Sequence, residues 1–117
     1  MITRYCIDKL ASKYGLVKLD NRAGSYHYCY LPDSNIWNNS EYDNPSAIFT
    51  IYDTIDTFKL YDIFDIEDKK CVFHGGTYEN LKDLTEDTLE KYILKCISTV
   101  KKATIKLKLD SIKEDFK

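Results

Sequence analysis

The sequence contains few of the residues that interrupt regular structure, with four glycines and two prolines among 117 residues. This scarcity, together with 44% hydrophobic and 31% charged residues, argues against a disordered or low-complexity chain. The length suits one domain, residues 1–117, which is large enough to bury a core without disulfides.

Long apolar runs are also missing. No segment approaches the roughly 20 apolar residues that a membrane-spanning helix needs. The N-terminus lacks the basic and then apolar segments that are typical of a secretion signal. We therefore expect no membrane contact and a cytoplasmic location, where a reducing environment keeps the four cysteines as thiols or metal ligands.

Basic residues are nearly absent from the middle of the chain. Residues 33–68 contain nine acidic residues and one basic residue, Lys59. A general nucleic-acid-binding protein shows a basic stripe instead, so we expect no direct contact with nucleic acid. The acidic middle either docks on a basic protein surface or forms an ordinary solvated face.

Hydrophobic spacing predicts an α+β fold with an N-terminal helix, an antiparallel sheet of about four to five strands and a long C-terminal helix. Apolar residues recur every four positions from Ile2 to Tyr14, and Thr3 and Gly15 are suited to cap and stop a helix over 3–14. Strands are predicted over residues 16–19, 23–31, 47–53, 58–66 and 70–74, and Gly75 with Gly76 is predicted to end the sheet.

The C-terminal helix is predicted to start after Thr85 and to run nearly to the end of the chain. Its late apolar stripe lies on a different side from the early one and consists of Ile105, Leu109, Ile112 and Phe116. We expect this stripe to cover a groove in the same chain, a partner or a second copy in a homodimer.

Residues 32–46 are rich in Pro, Asn, Ser and Asp, which predicts a long exposed loop. The loop carries the only tryptophan, Trp37, which either anchors the loop on the body or waits for a partner. The predicted partner-binding set combines aromatic and acidic residues, namely Trp37, Tyr42, Asp53, Asp56, Tyr61, Asp62 and Asp65.

The chain has two histidines, and each lies within three positions of a cysteine. His27 and Cys29 are two residues apart on a predicted strand and therefore share a face, while Cys71 and His74 precede a glycine turn. Two thiolates and two imidazoles form a set that Zn²⁺ accepts in a structural site. The alternative is that the cysteines are buried strand residues and the histidines lie on the surface.

Two enzymatic interpretations are less favoured. Cys29 with His74 has the residue types of a nucleophile and its base, but no family signature surrounds either residue. Glu67-Asp68-Lys69, with Asp53 before it, has the form of a metal-dependent nuclease site, yet it falls at a predicted turn in acidic surroundings that repel phosphate. We therefore expect a protein without catalytic activity.

A small, tyrosine-rich, single-domain chain with an acidic middle and the pairs His27/Cys29 and Cys71/His74 resembles the anti-CRISPR inhibitors of type II RNA-guided nucleases. Phages and mobile elements of low-GC bacteria encode these inhibitors, and one zinc-stabilised member is similar in its paired ligands. The resemblance implies a non-catalytic inhibitor in the host bacterial cytoplasm that docks an acidic, aromatic surface on a basic nuclease and holds a structural zinc. The alternative is a phage or plasmid accessory protein that dimerises through its C-terminal helix.

Overall fold

The computed structural model describes residues 2–21, 24–33, 35–38 and 46–115. This part of the chain forms an α+β fold, which confirms the predicted class. Its helices and strands are α1 (Arg4–Lys13), β1 (Val17–Asn21), β2 (Ser25–Cys29), β3 (Ala47–Tyr52), β4 (Thr57–Leu60), β5 (Ile63–Glu67), β6 (Lys70–His74), β7 (Thr77–Asn80) and α2 (Glu86–Asp115).

Local signals set the ends of α1. The Thr3 hydroxyl accepts a hydrogen bond from the backbone N–H of Cys6 at 3.1 Å, which satisfies one of the free donors at the helix start. Gly15 follows the helix with a φ of 72°, a left-handed conformation that glycine adopts without steric cost. The prediction of a helix over 3–14 is confirmed to within one residue at each end.

The main sheet is antiparallel and has five strands in the order β1-β2-β3-β4-β7. Tyr28 lies opposite Phe49, and their buried rings stack with centroids 4.4 Å apart. The Tyr28 hydroxyl donates to Asp8 of α1 at 2.7 Å, so this face of the sheet is the one that α1 covers. His27 lies opposite Thr50 on the other face, because side chains alternate along a strand.

The segment 58–66 was predicted as one strand, and this prediction is wrong. The chain leaves the main sheet after Leu60 and enters a separate two-stranded sheet, formed by β5 and β6, at Ile63. At the break, the Tyr92 hydroxyl of α2 accepts a hydrogen bond from the Tyr61 N–H at 2.8 Å and lies 2.6 Å from the Tyr61 carbonyl oxygen. The Tyr92 side chain thus takes the place of a neighbouring strand as the hydrogen-bond partner of the Tyr61 backbone.

The prediction that Gly75 and Gly76 end the sheet is also wrong. Both glycines have positive φ angles, 78° and 79°, and they turn the chain from the hairpin back to the edge of β4. There β7 forms a fifth strand, with Thr77 opposite Leu60 and Asn80 opposite Thr57.

The long helix α2 completes the core. The Thr85 hydroxyl accepts a hydrogen bond from the Thr88 N–H at 3.1 Å, which confirms the predicted cap. Leu89, Ile93 and Val100 are fully buried. At ~1.5 Å per residue a helix of this size is about 45 Å long, and the molecule measures 54 × 28 × 23 Å. Neither described helix is long and apolar enough to cross a membrane.

Candidate functional site

The four predicted zinc ligands are divided between the two sheets. His27 and Cys29 lie on β2 of the main sheet, and Cys71 and His74 lie on β6 of the hairpin. Among the described residues, no three or more His, Cys, Asp or Glu side chains form a group that could hold a metal ion. The structure therefore gives no geometric support to the zinc site, which stays a prediction.

Both histidines are engaged by neighbouring side chains. The Nδ1 atom of His27 lies 2.8 Å from the Thr50 hydroxyl, and the Nε2 atom of His74 lies 2.6 Å from a carboxylate oxygen of Asp65. Burial lowers the pKa of His27 below its usual 6.5. The neutral ring is therefore the favoured form of His27 at physiological pH.

The buried cysteines are held as thiols. Burial raises the pKa of Cys29 to about 11 and that of Cys71 to about 12. Since the thiolate is the reactive and metal-binding form, neither side chain is activated at neutral pH. His74, the proposed base for Cys29, instead contacts Asp65 within the hairpin sheet. The geometry lends no support to a nucleophilic Cys29.

The predicted nuclease residues are likewise separated. Asp68 and Lys69 form the tight turn between β5 and β6, with φ angles of 47° and 62°. Asp53 follows β3 in the main sheet, before β4 begins. The Glu67-Asp68-Lys69 triplet thus lies at an exposed hairpin turn. Asp53, the carboxylate that should complete a nuclease site, lies beyond the other end of β4.

Trp37 is an anchor within the structure. It is fully buried, and its Nε1 donates a hydrogen bond to the Thr104 hydroxyl of α2 at 3.0 Å. This placement fits the anchor interpretation and leaves no Trp37 surface for a partner to contact. Tyr61 is half-buried, with its hydroxyl 2.6 Å from that of Thr50. Tyr42 lies outside the described residues.

Two of the predicted acidic contact residues form ion pairs within the molecule. The Arg4 guanidinium of α1 binds the carboxylate of Asp53 through Nε and that of Asp56 through a terminal nitrogen at 3.3 Å. Exposed pairs of this kind contribute about 0–1 kcal/mol to stability. Arg4 also offsets part of the negative charge at this end of β4.

The other two, Asp62 and Asp65, lie beyond the opposite end of β4. There they join Glu67 and Asp68 on the β5–β6 hairpin, where all four side chains are exposed. Two large apolar side chains of the same hairpin, Ile63 and Ile66, are also exposed. Ile66 lies on the opposite face of β5 from Ile63, Asp65 and Glu67. We therefore define the acidic hairpin surface without it, as the set Asp62, Ile63, Asp65, Glu67 and Asp68. The predicted acidic residues therefore form two groups. Both include exposed apolar area, because Ile55 between Asp53 and Asp56 is 65% exposed, but Asp53 and Asp56 are paired with Arg4, whereas the hairpin group contains four carboxylates.

The late stripe of α2 is exposed as well. Ile105, Leu109 and Ile112 are 59%, 53% and 52% exposed, so the described part of the chain does not cover them. Phe116, the fourth predicted member, lies outside the described residues. Four lysines border this stripe on both sides, namely Lys101, Lys106, Lys108 and Lys113. Their helical positions can be read from the sequence, but sequence reasoning did not identify them.

No family model, curated protein or solved structure matches this chain. The resemblance to anti-CRISPR inhibitors therefore stays a prediction.

Proposed function

We propose that this protein is a non-catalytic inhibitor that docks its acidic hairpin surface on a basic partner, and that the partner is a type II RNA-guided nuclease of a bacterial host. The observation that carries the proposal is the β5–β6 hairpin, where four carboxylates are exposed. Ile63, also exposed, shares a face of β5 with Asp65 and Glu67. The general resemblance of the sequence to anti-CRISPR inhibitors supplies the identity of the partner.

The two kinds of side chain on the hairpin have different roles in binding. Ile63, on the face of β5 that carries Asp65 and Glu67, is 46% exposed. Burying the exposed part of this side chain in an interface is worth roughly 1 kcal/mol. The carboxylates steer the encounter and select a basic surface, because opposite potentials speed association and like charges oppose it. A basic nucleic-acid-binding channel is a surface of this complementary kind.

The placement of the reactive side chains supports a non-catalytic role. Cys29 and Cys71 are protonated at neutral pH, and both histidines contact neighbouring oxygen atoms. Asp53, the carboxylate invoked for a nuclease, is paired with Arg4. These groups are therefore held in structural contacts, and binding is the activity that remains for the exposed surface.

The partner is tested by retention and inhibition. The full chain is immobilised and exposed to a purified type II nuclease with its guide RNA, and the effect of free chain on target cleavage is measured in parallel. We expect the nuclease to be retained at low salt, released at high salt and slowed in cleavage. An unrelated acidic protein of similar size serves as the control. If the nuclease is not retained and cleavage proceeds at full rate, the nuclease is not the partner.

A further inference from the structure

The exposed apolar residues of α2 follow the spacing of a coiled-coil seam. Ile105, Leu109 and Ile112 are separated by four and then three residues. At about 100° per residue they lie within roughly 60° of one another around the helix. This stripe is narrower than the apolar face, about 100° wide or more, of a helix that lies on a core or a membrane surface. The spacing therefore favours another helix as the occupant.

The stripe lies on the side of α2 away from its buried residues, and Ile105 and Ile112 border grooves that also contain Asp33. Val100 and Thr104 are buried, and they lie about 100–140° around the helix from Ile105. Trp37 bonds to Thr104 and Asp33 forms an ion pair with Lys108 at 3.1 Å, so the 32–38 loop holds the inner side of α2. The described residues thus cover one side of the helix and leave the seam on the other.

Lysines occupy the positions that flank the seam. If Ile105 and Ile112 are d positions and Leu109 is an a position, the four e and g positions from 101 to 113 are Lys101, Lys106, Lys108 and Lys113. Lys108 also pairs with Asp33, whereas the other three have no carboxylate partner within the described part of the chain. Asp110 lies about 140° from Ile105 around the helix, whereas Asp115 takes the next g position after Lys108. Between residues 101 and 113 the seam is therefore bordered by positive charge on both sides.

We propose that this outer face of α2 binds an amphipathic helix of a partner protein that carries leucine or isoleucine on its own seam and glutamate or aspartate beside it. Charge at e and g positions selects the partner in coiled coils. In a homodimer, parallel or antiparallel, the flanking lysines would face lysines, so a second copy is disfavoured. Ile112 lines one groove with Lys69 of the β5–β6 turn, so the two surfaces adjoin there. They share no residue and carry opposite charge, so this inference does not depend on the proposed function.

The test uses a synthetic helical peptide of four heptads with leucine or isoleucine at a and d and glutamate at e and g, titrated against the full chain by calorimetry. We expect binding that weakens as salt rises, because the flanking charges are exposed. A peptide with the same seam but lysine at e and g serves as the control and is expected not to bind. We expect Leu109→Gln to weaken binding about tenfold.

Leu94→Gln is the matched variant, since Leu94 is also an exposed leucine of α2 but precedes the seam. It is expected to leave the affinity unchanged. The proposal is overturned if the acidic peptide does not bind, or if both leucine variants weaken binding equally. It is also overturned if Leu109→Gln abolishes a dimer seen by light scattering. Loss of binding to phosphatidylserine vesicles in Leu109→Gln, without any peptide binding, would assign the face to a membrane instead.

Discussion

The indole Nε1 of Trp37 donates a hydrogen bond to the Thr104 hydroxyl at 3.0 Å, and that hydroxyl donates in turn to the Val100 carbonyl oxygen at 2.7 Å. Both side chains are buried, and they are 67 residues apart in the sequence. The pair fastens the 32–38 loop to the middle of α2, where the late stripe begins. The direction in which that stripe faces thus depends on a contact between distant parts of the chain.

Replacing Thr104 tests this contact. Thr104→Val leaves the Trp37 N–H buried without its acceptor, which costs about 1–3 kcal/mol of unfolding free energy. Thr99→Val is the control, because Thr99 makes the same kind of bond to a backbone carbonyl, that of Lys95, on the same helix. Denaturant unfolding should show a larger loss for Thr104→Val than for Thr99→Val. Equal losses would mean that the indole bond adds nothing to stability.

Gly76→Ala should be more destabilising than Gly15→Ala. Both glycines have positive φ angles, 79° and 72°, a conformation that costs a residue with a side chain roughly 1–2 kcal/mol. A Cβ at Gly76 would also overlap the Leu60 carbonyl oxygen, whereas one at Gly15 meets no atom within 4 Å. Thermal melts of the two variants measure the difference. If Gly15→Ala lowers the melting temperature as much as Gly76→Ala does, the close approach of Gly76 to the Leu60 carbonyl oxygen does not determine the turn toward β7.

The helices could be predicted almost to the residue because their ends depend on nearby residues. Thr3 and Thr85 cap the two helices through bonds to residues three positions away, and Gly15 stops the first. The break between β4 and β5 could not be predicted in this way, because it depends on the Tyr92 hydroxyl, which is 31 residues from Tyr61. The strand β7 was missed because its four residues are all exposed and give no hydrophobic signal.

The candidate site was predictable as a set of residues but not as an arrangement. Exposure of Asp62 and Asp65 agrees with the expectation for acidic residues between apolar neighbours. The acidic residues form two groups because β4 separates them. The pairing of Asp53 depends on Arg4, which is 49 residues away and carries no sequence signal of that contact. The burial of Trp37 depends in the same way on Thr104.

His27 should make the protein less stable in mild acid. Because burial lowers its pKa in the folded state, the unfolded chain binds the proton first as the pH falls below about 6.5. The folded state therefore loses stability relative to the unfolded state below that pH. His27→Gln removes this titration, so the free energy of unfolding should fall less between pH 7 and pH 5 than in the wild type. Identical pH dependence of the two proteins would contradict a buried, neutral His27.

Zinc stays a prediction of the sequence, and metal analysis can decide it. The sequence predicts that a chelator lowers the melting temperature, because a structural zinc site exists only in the folded state. Elemental analysis of protein prepared with zinc available provides the second measurement. About one zinc per chain, lost in Cys71→Ser and His74→Gln but kept in Cys96→Ser, would establish the predicted site, and protein without zinc would contradict it.

The central claim, that the acidic hairpin surface contacts a basic partner, is tested most directly by the affinities of two double variants for the type II nuclease. Asp62→Asn/Asp65→Asn and Asp53→Asn/Asp56→Asn remove the same charge, but only the first pair lies on the hairpin side of β4. We predict that the first weakens binding about tenfold and flattens its salt dependence, while the second stays close to wild type. Equal weakening by both, or none by the first, would contradict the account.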